Sequence, residues 1–331
     1  MTNMANVNES IFAKTIERRT RGEILHARHG KRWDEYRDLW DDPLTNGRGG
    51  NISFPLAYEI QLTDSCNLRC GHCYNRNKRT GVKLSKEDID KVFLEGGSNG
   101  LCAVSFGFDS ESLLDFDLLM YAVKSAASHN VMDILINTNG ILLTEERAAD
   151  LCKYATMIKI SVDAASAEMY EKIRHSDKYD VLVKNIENLV ALRNRLDSVI
   201  PMIRLSFCRT YVNSCEEKIF IEKWENIVDK IDIQNYIGVG EFQELSSGKK
   251  AEMTSCADPF RRIAILANGD VQCCCSAVRN RDILLGNIHD ETISDLWNGE
   301  KLKAIRDAFV EDLGNIPAYC KECLNNRWIF E

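Results

Sequence analysis

Three cysteines lie close together early in this 331-residue chain: Cys66, Cys70 and Cys73. An odd number of thiols in so short a loop cannot all pair as disulfides, so the spacing favours a metal centre. Three thiolate ligands leave a tetrahedral or cubane centre with one position open, and an open position is typical of catalytic sites. We interpret the loop as a reactive centre.

A second set of cysteines lies in the last quarter of the chain, at Cys256, Cys273–Cys275, Cys320 and Cys323. In a reducing compartment, thirteen cysteines favour metal binding or catalysis over disulfides. The four that remain have apolar or helical neighbours and are interpreted as small buried hydrophobic residues: Cys102, Cys152, Cys208 and Cys215.

The composition limits the class of protein. The formal charge of −8 argues against a nucleic-acid partner, since such proteins usually carry a basic face. The N-terminal sequence MTNMANVNESIFAK lacks an apolar signal region, and no stretch approaches the ~18 apolar residues of a membrane span. We therefore expect a cytoplasmic protein without a membrane partner.

The elements that must position the cysteines follow a regular alternation after residue 55. Six short runs rich in β-branched residues alternate with helical segments, at 57–63, 103–108, 133–139, 157–163, 203–210 and 231–237. This order predicts parallel βαβ units and an α/β fold, a partial (β/α)6 TIM-like barrel with its active site at the C-terminal ends of the strands. Cys66 directly follows the first strand.

Several helices have local signals. Ser85 and Asp88 resemble a capping box, Thr144 is a predicted N-cap, and residues 179–196 form a long helix. Near the C-terminus, residues 269–275 (GDVQCCC) are predicted as a strand that enters a cluster site, and residues 292–313 as one helix.

Three regions follow from these patterns: an N-terminal helical extension (1–52), the barrel (53–237) and a small cysteine-rich domain (238–331). Residues 14–32 carry seven Lys or Arg against two Glu. They form either a charged helix packed on the barrel or a flap that holds an anionic part of the substrate.

The motif Cys66-x3-Cys70-x2-Cys73, followed by Tyr74 on a loop after the first strand, resembles the radical S-adenosylmethionine (SAM) superfamily. The resemblance implies that the three cysteines hold a [4Fe–4S] cluster whose fourth iron is chelated by SAM. It also implies reductive cleavage of SAM to a 5′-deoxyadenosyl radical, which abstracts a hydrogen atom from the substrate. The cofactors carry this chemistry and the protein positions them.

The resemblance extends to the other strand ends. Gly107 matches the family's Gly-Gly-Glu motif only in part, so Asp109 or Glu111 is expected to accept from the amino group of SAM. Residues 137–140 resemble Thr-Asn-Gly, and residues 161–163 resemble Ser-x-Asp. The resemblance implies these cofactor-binding residues: Tyr74, Gly107, Asp109, Glu111, Asn139, Ser161, Asp163 and Arg174.

The C-terminal cysteines resemble the SPASM/Twitch class of auxiliary-cluster domains. The resemblance implies that Cys256, Cys274, Cys320 and Cys323 ligate a second [4Fe–4S] cluster, although the same CxxC pairs also build zinc sites. A cluster with four protein ligands cannot bind substrate directly. We expect it to carry electrons, with an external one-electron reductant of the flavodoxin or ferredoxin type as partner.

Cys275 follows the expected ligand Cys274, and strand neighbours point to opposite faces, so Cys275 is expected to face the barrel mouth. In some radical peptide epimerases the residue after this ligand is a cysteine that donates a hydrogen atom. Cys275 is therefore the candidate catalytic residue. The alternatives are a spare thiol beside the cluster, or a change of register in which Cys273 takes part.

The expected function is epimerisation of a carbon stereocentre in a sugar-like, aminocyclitol-like or peptide substrate. Two alternatives within the superfamily are a Twitch-type dehydrogenase that oxidises an alcohol and a SPASM maturase that crosslinks a peptide. A non-enzymatic iron–sulfur or zinc protein would explain the C-terminal cysteines. It would not explain three cysteines with an open ligand position at a strand end.

Overall fold

The computed structural model describes residues 12–41, 52–75, 79–236, 249–250, 256–275, 281–325 and 328–329. All six predicted runs form parallel strands that lie side by side in chain order. These strands are β2 (Ala57–Ile60), β3 (Ala103–Phe106), β4 (Asp133–Thr138), β5 (Met157–Ser161), β6 (Met202–Arg209) and β7 (Lys230–Asn235). The sheet is open at both edges, so the partial barrel is confirmed.

Helices follow the strands: α3 (Lys86–Ser98), α4 (Phe116–Ser128), α5 (Glu145–Leu151), α6 (Ala167–Arg174), α7 (Tyr179–Arg195) and α8 (Glu217–Trp224). The capping box of Ser85 and Asp88 and the N-cap at Thr144 are confirmed. Two of these helices, α6 and α8, were not predicted from the sequence. The signal for α6 was Ser166, whose hydroxyl accepts from Met169 N–H at the helix start.

The two faces of the sheet differ in polarity. On β5, Ile158 and Ile160 are fully buried in the core, whereas Lys159 and Ser161 point to the other face and are partly exposed. Paired residues of parallel strands share a face, so the register places Asn137 and Arg204 beside Lys159. We call this polar surface the interior face, because it forms the inside of the partial barrel.

The N-terminal segment begins with a strand rather than a helix. β1 (Phe12–Glu17) pairs antiparallel with β7, and only then follow α1 (Arg21–His29) and α2 (Lys31–Asp41). The β-branched residues Thr15 and Ile16 suit a strand, and β1 lies at one edge of the sheet. Trp33 and Tyr36 of α2 pack against Leu56 and Ala57, where β2 begins.

The flap interpretation of residues 14–32 is not supported by this geometry. Arg19 pairs with Asp229 at 3.6 Å, and Arg21 pairs with Asp133. Both carboxylates lie where β7 and β4 begin, at the end of the barrel away from the Cys66 loop. These cations are therefore held at the N-terminal end of the strands.

The C-terminal region continues the same sheet. β9 (Arg262–Ile265) lies parallel to β2, and β10 (Asp270–Gln272) and β11 (Leu284–Asn287) follow it antiparallel. Leu56 N–H donates to Arg261 C=O at 2.9 Å. The short strands β8 (Lys249–Lys250) and β12 (Trp328–Ile329) form a separate pair.

Three helices complete this region: α9 (Ile293–Asn298), α10 (Glu300–Glu311) and α11 (Ala318–Asn325). The single helix predicted for 292–313 is wrong, because Gly299 is extended with ψ 159° and divides it into α9 and α10. In the described part of the chain, no helix has the length and apolar character needed to cross a membrane.

Candidate active site

Cys66, Cys70 and Cys73 lie on the loop after β2 and line a cavity of about 310 Å³ at the C-terminal ends of the strands, which we call the mouth cavity. Two arginines approach them: Arg79 Nη2 lies 4.0 Å from Cys73 Sγ, and Arg174 Nη1 lies 3.5 Å from Cys70 Sγ. The loop thus presents three thiols beside two fixed positive charges.

The donor set fits an iron–sulfur cluster. Burial raises the pKa of the Cys66 thiol to about 11 and also raises that of Cys73. Because the thiolate is the form that binds metal, a positively charged centre is needed to ionise these thiols. Among the described residues no three Cys, His, Asp or Glu side chains converge on a single ion. Three thiolate ligands fit a [4Fe–4S] cluster in which one iron is left for another ligand.

All eight cofactor-binding residues predicted from sequence line the mouth cavity together with the three cysteines: Tyr74, Gly107, Asp109, Glu111, Asn139, Ser161, Asp163 and Arg174. Gly107 needs to be glycine, because its φ of 89° would place a Cβ atom 2.4 Å from Asn137 C=O. The structure thus brings the strand ends together, and contact with SAM stays a prediction.

Asp163 and Arg174 form a buried ion pair beneath the loop. Arg174 Nη2 lies 2.5 Å from Asp163 Oδ2, and His72 Nε2 lies 3.3 Å from the same oxygen. Cys208 N–H donates to Asp163 Oδ1 at 2.7 Å. Burial alone would raise the pKa of Asp163, but the charge of Arg174 and these hydrogen bonds outweigh it and hold the pKa below its usual value. The pair connects the Cys70 loop to β5 and β6.

Glu111 has a structural role at the same strand ends. Its side chain is fully buried, and it accepts from Thr138 Oγ1 at 2.9 Å, Asn139 N–H at 2.7 Å and Leu113 N–H at 3.1 Å. Both carboxylate oxygens are therefore already hydrogen bonded within the chain. Asp109, the other predicted acceptor, lines the same cavity and has the left-handed conformation with φ 50°.

We expect Glu111→Gln to lower the free energy of unfolding by about 1–3 kcal/mol, because the amide NH2 of Gln would meet an N–H donor and leave a buried group unsatisfied. Chemical denaturation of the metal-free protein measures this. Glu145→Gln is the matched control, since Glu145 is an exposed partner of Arg195 at 2.7 Å. Equal effects of the two substitutions would contradict the assigned role.

The mouth cavity also contains residues that sequence reasoning missed. Tyr236 stacks on Tyr74 with ring centroids 5.7 Å apart, and His72 packs edge-on against Tyr236 at 6.1 Å. Cys208, interpreted from sequence as a buried hydrophobic residue, lines the cavity at the end of β6. The signal for Cys208 was its spacing: it follows Ser206 by two and shares its face.

A second, smaller cavity of about 30 Å³ lies in the C-terminal region, and we call it the auxiliary cavity. All four predicted ligands line it: Cys256, Cys274, Cys320 and Cys323. Burial raises the pKa of Cys320 to about 12. These thiols also need a positive centre to ionise, so their chemistry fits a cluster. Cys273 lines the cavity as well, so the register between Cys273 and Cys274 stays open.

Cys275 lies beside Cys274 and close to the Glu59–Arg262 ion pair. The strand prediction for residues 269–275 is only partly right, because β10 ends at Gln272 and strand alternation does not apply to Cys275. The thiol is hydrogen bonded with Cys274, and this contact and burial raise its pKa. The charge of Arg262 lowers this pKa and the charge of Glu59 raises it, and these two residues form an ion pair at 3.0 Å.

Comparisons with known proteins agree with the two sites. Residues 60–204 match the Radical SAM superfamily, and residues 256–324 match SPASM, an iron-sulfur cluster-binding domain. The mycofactocin maturase MftC of Mycolicibacterium smegmatis is 31% identical over 141 residues, covering 42% of this chain and 35% of that protein. A probable GTP 3′,8-cyclase of Methanococcus maripaludis is 28% identical over 138 residues, covering 40% and 45%. The chain thus spans less than half of these relatives.

Solved structures show the same fold at low identity. SuiB of Streptococcus suis bound to the precursor peptide SuiA has a TM-score of 0.64 at 16% identity, covering 89% of this chain and 74% of that chain. BtrN in complex with AdoMet and 2-DOIA has a TM-score of 0.52 at 17% identity, covering 82% and 92%. The radical SAM domain implies SAM and a [4Fe–4S] cluster as cofactors, and the SPASM domain implies an auxiliary cluster.

Proposed function

Because this chain belongs to the radical SAM superfamily and carries a C-terminal SPASM domain, we propose that it is an epimerase in which Cys275 returns a hydrogen atom to the substrate. When bound, SAM and its cluster supply a 5′-deoxyadenosyl radical that removes a hydrogen atom from a substrate carbon. Cys66, Cys70 and Cys73 would hold that cluster. The substrate would occupy the interior of the barrel, with the mouth cavity above it.

The position of Cys275 is the observation that supports epimerisation. The thiol lies against Cys274 and beside the Glu59–Arg262 pair. Glu59 is on the interior face, since its charge also acts on Lys159 of β5. A thiol at this place could reach a substrate radical in the barrel, and inversion requires that it deliver hydrogen to the face opposite the one from which hydrogen was removed.

In the proposed step, Cys275 transfers one hydrogen atom to the substrate radical. The S–H bond of Cys275 breaks and a C–H bond forms on the substrate, which leaves a sulfur radical on Cys275. One electron and one proton restore the thiol, and the electron comes from the external one-electron reductant that we propose as partner. The contact with Cys274 and then burial raise the pKa of Cys275.

A dehydrogenase is the second candidate. Arg262 joins the interior face to the auxiliary site, because it pairs with Glu59 at 3.0 Å and with Asp258 at 2.5 Å. Asp258 Oδ2 in turn lies 3.9 Å from Cys274 Sγ. This short connection favours removal of an electron from a substrate radical. BtrN, whose fold is similar, is known in complex with the small molecule 2-DOIA.

Product mass and solvent labelling separate the two reactions. We expect anaerobic turnover in deuterated water, with SAM, reductant and candidate substrates from the gene neighbourhood, to give a product that gains one deuterium from the exchanged thiol. Mass spectrometry and chiral chromatography measure this. A product that is two hydrogens lighter than the substrate, without solvent deuterium, would reject the epimerase and support the dehydrogenase.

A further inference from the structure

Three basic residues lie side by side on the interior face. Lys159 of β5 pairs in register with Arg204 of β6, which pairs with Lys230 of β7. Directly paired residues of parallel strands point to the same face, so the three side chains form one row across the barrel. Like charges this close repel each other unless anions lie between them.

Carboxylates compensate two of these three cations. Asp232 pairs with Arg204, lies 4.0 Å from Lys230 Nζ, and also accepts from Thr15 Oγ1 at 2.7 Å. Glu59, another carboxylate of this face, is paired with Arg262, and Glu17 of β1 pairs in register with Lys230. Within the described part of the chain, no acceptor or carboxylate lies in hydrogen-bond or ion-pair range of Lys159 Nζ.

The pKa of Lys159 agrees with its lack of an ion-pair partner among the described residues. Burial, and then the charge of Arg204, lower the pKa of Lys159 to about 8. The negative charges of Asp232, Glu59 and Asp163 act in the opposite direction and do not restore the usual value. A partly buried ammonium without a partner is unfavourable, and a bound anion would remove that penalty.

Lys159 is also in the right place to meet a molecule in the barrel. It precedes Ser161 by two residues on β5, just as Arg204 precedes Ser206 on β6, and both serines line the mouth cavity. Lys159 is partly exposed, and its charge reaches Cys208, which lines the same cavity. Lys159 therefore lies on the same face of the sheet as these serines, two residues further from the mouth cavity along β5.

We propose that Lys159 binds an oxyanion of the substrate, a carboxylate or a phosphate, inside the barrel. Lys159 is the central cation of this site, and Arg204 adds positive charge while it stays paired with Asp232. Calling the anion part of the substrate depends on the proposed radical function, but the binding of an anion at Lys159 does not. The site would anchor the substrate below the mouth cavity.

Selective acetylation tests the site without any turnover. With a pKa of about 8, Lys159 has about 200-fold more free amine at pH 7.5 than an ordinary surface lysine. A trace of an uncharged amine-reactive ester should therefore label Lys159 faster than the exposed Lys184, as measured by peptide mass spectrometry on the cluster-loaded protein saturated with SAM. We expect inorganic phosphate or acetate, at constant ionic strength, to slow labelling of Lys159 severalfold and to leave Lys184 unchanged.

The two anions distinguish the source of the oxyanion, since protection by phosphate indicates a phosphorylated substrate and protection by acetate a carboxylate. If neither anion slows the labelling of Lys159, the inference is wrong. It is also wrong if SAM alone abolishes this labelling, because Lys159 would then belong to the cofactor's own site.

Thermal unfolding with variants gives an independent result. We expect the same anion to raise the melting temperature of the wild type and of Lys159→Arg, which keeps the charge, but not of Lys159→Met, because only binding to the folded state stabilises it. Lys184→Met is the matched control and should respond like the wild type. An equal shift in Lys159→Met and the wild type would overturn the proposal. All these measurements can succeed even if the protein does not epimerise its substrate.

Discussion

Replacing Cys66, Cys70 and Cys73 together by Ala is expected to remove about half of the bound iron and all cleavage of SAM. Three predicted ligands line the mouth cavity and four line the auxiliary cavity, which fits about eight irons in two four-iron clusters. Only the three-thiol site leaves an iron open for SAM. Iron analysis after anaerobic reconstitution and assay of 5′-deoxyadenosine measure the two losses, and neither assay needs the substrate.

The chain offers a matched control with three other cysteines. Cys102, Cys152 and Cys215 line neither of the two described cavities, so their joint replacement by Ala should leave both the iron content and SAM cleavage near the wild-type values. If the Cys66, Cys70 and Cys73 variant still makes 5′-deoxyadenosine, the site assignment is wrong.

The same iron assay determines the register of the auxiliary ligands. Cys273 and Cys274 both line the auxiliary cavity, but Cys273 is fully buried and Cys274 is partly exposed. If Cys274 is the ligand, Cys274→Ala loses auxiliary iron and Cys273→Ala retains it. The reverse pattern would assign the ligand to Cys273, and Cys275 would then no longer directly follow a ligand.

Cys275→Ala is expected to abolish the inverted product while SAM cleavage continues. The substitution removes the hydrogen donor and leaves the first hydrogen abstraction intact, so 5′-deoxyadenosine should still form in the presence of substrate. Chiral analysis of the product and quantification of 5′-deoxyadenosine in the same sample give the two readouts.

Cys208→Ala is the control for this experiment, because Cys208 is a partly exposed thiol on the wall of the mouth cavity and does not line the auxiliary cavity. We expect it to keep the inverted product. If instead Cys208→Ala loses the product and Cys275→Ala keeps it, the donor is Cys208. If both variants remain active, a thiol donor is excluded.

The positions of the strands and of the Cys66 loop could be predicted from sequence because their signals are local. Runs such as MIKIS and AVSF match strands within a few residues, and the caps at Ser85 and Thr144 define where α3 and α5 begin. Parallel strands then bring their C-terminal ends to one edge, so residues far apart in the chain were expected at one site.

The roles of Glu111 and Cys275 depend on contacts that no local pattern encodes. Glu111 is separated from Thr138 and Asn139 by about one βα unit, and only their packing reveals that its carboxylate is already satisfied. Cys275 was expected to follow the alternation of a strand. That strand ends three residues earlier, so the direction of the thiol is set by its contact with Cys274.

The inward-facing positions of Lys159 and Cys208 could have been predicted from the sequence. In MIKISVD and IRLSFCRT the apolar residues alternate with Lys159 and Ser161, and with Arg204, Ser206 and Cys208. Once the apolar residues are assigned to the helix side, the others must face inward. Strand parity therefore predicts the interior of the barrel, although residue type alone suggested a buried thiol for Cys208.

The pairing of β2 with β9 has a consequence for biosynthesis. A ribosome completes β2 and its cysteine loop roughly 200 residues before β9 emerges to cover its outer edge. Until then the edge of β2 that later pairs with β9 has free N–H and C=O groups, and such an unpaired edge can associate with other nascent chains. A fragment that ends at residue 236 lacks β9, so this edge of β2 would stay exposed. A segment made much later thus shields the strand that leads into the Cys66 loop.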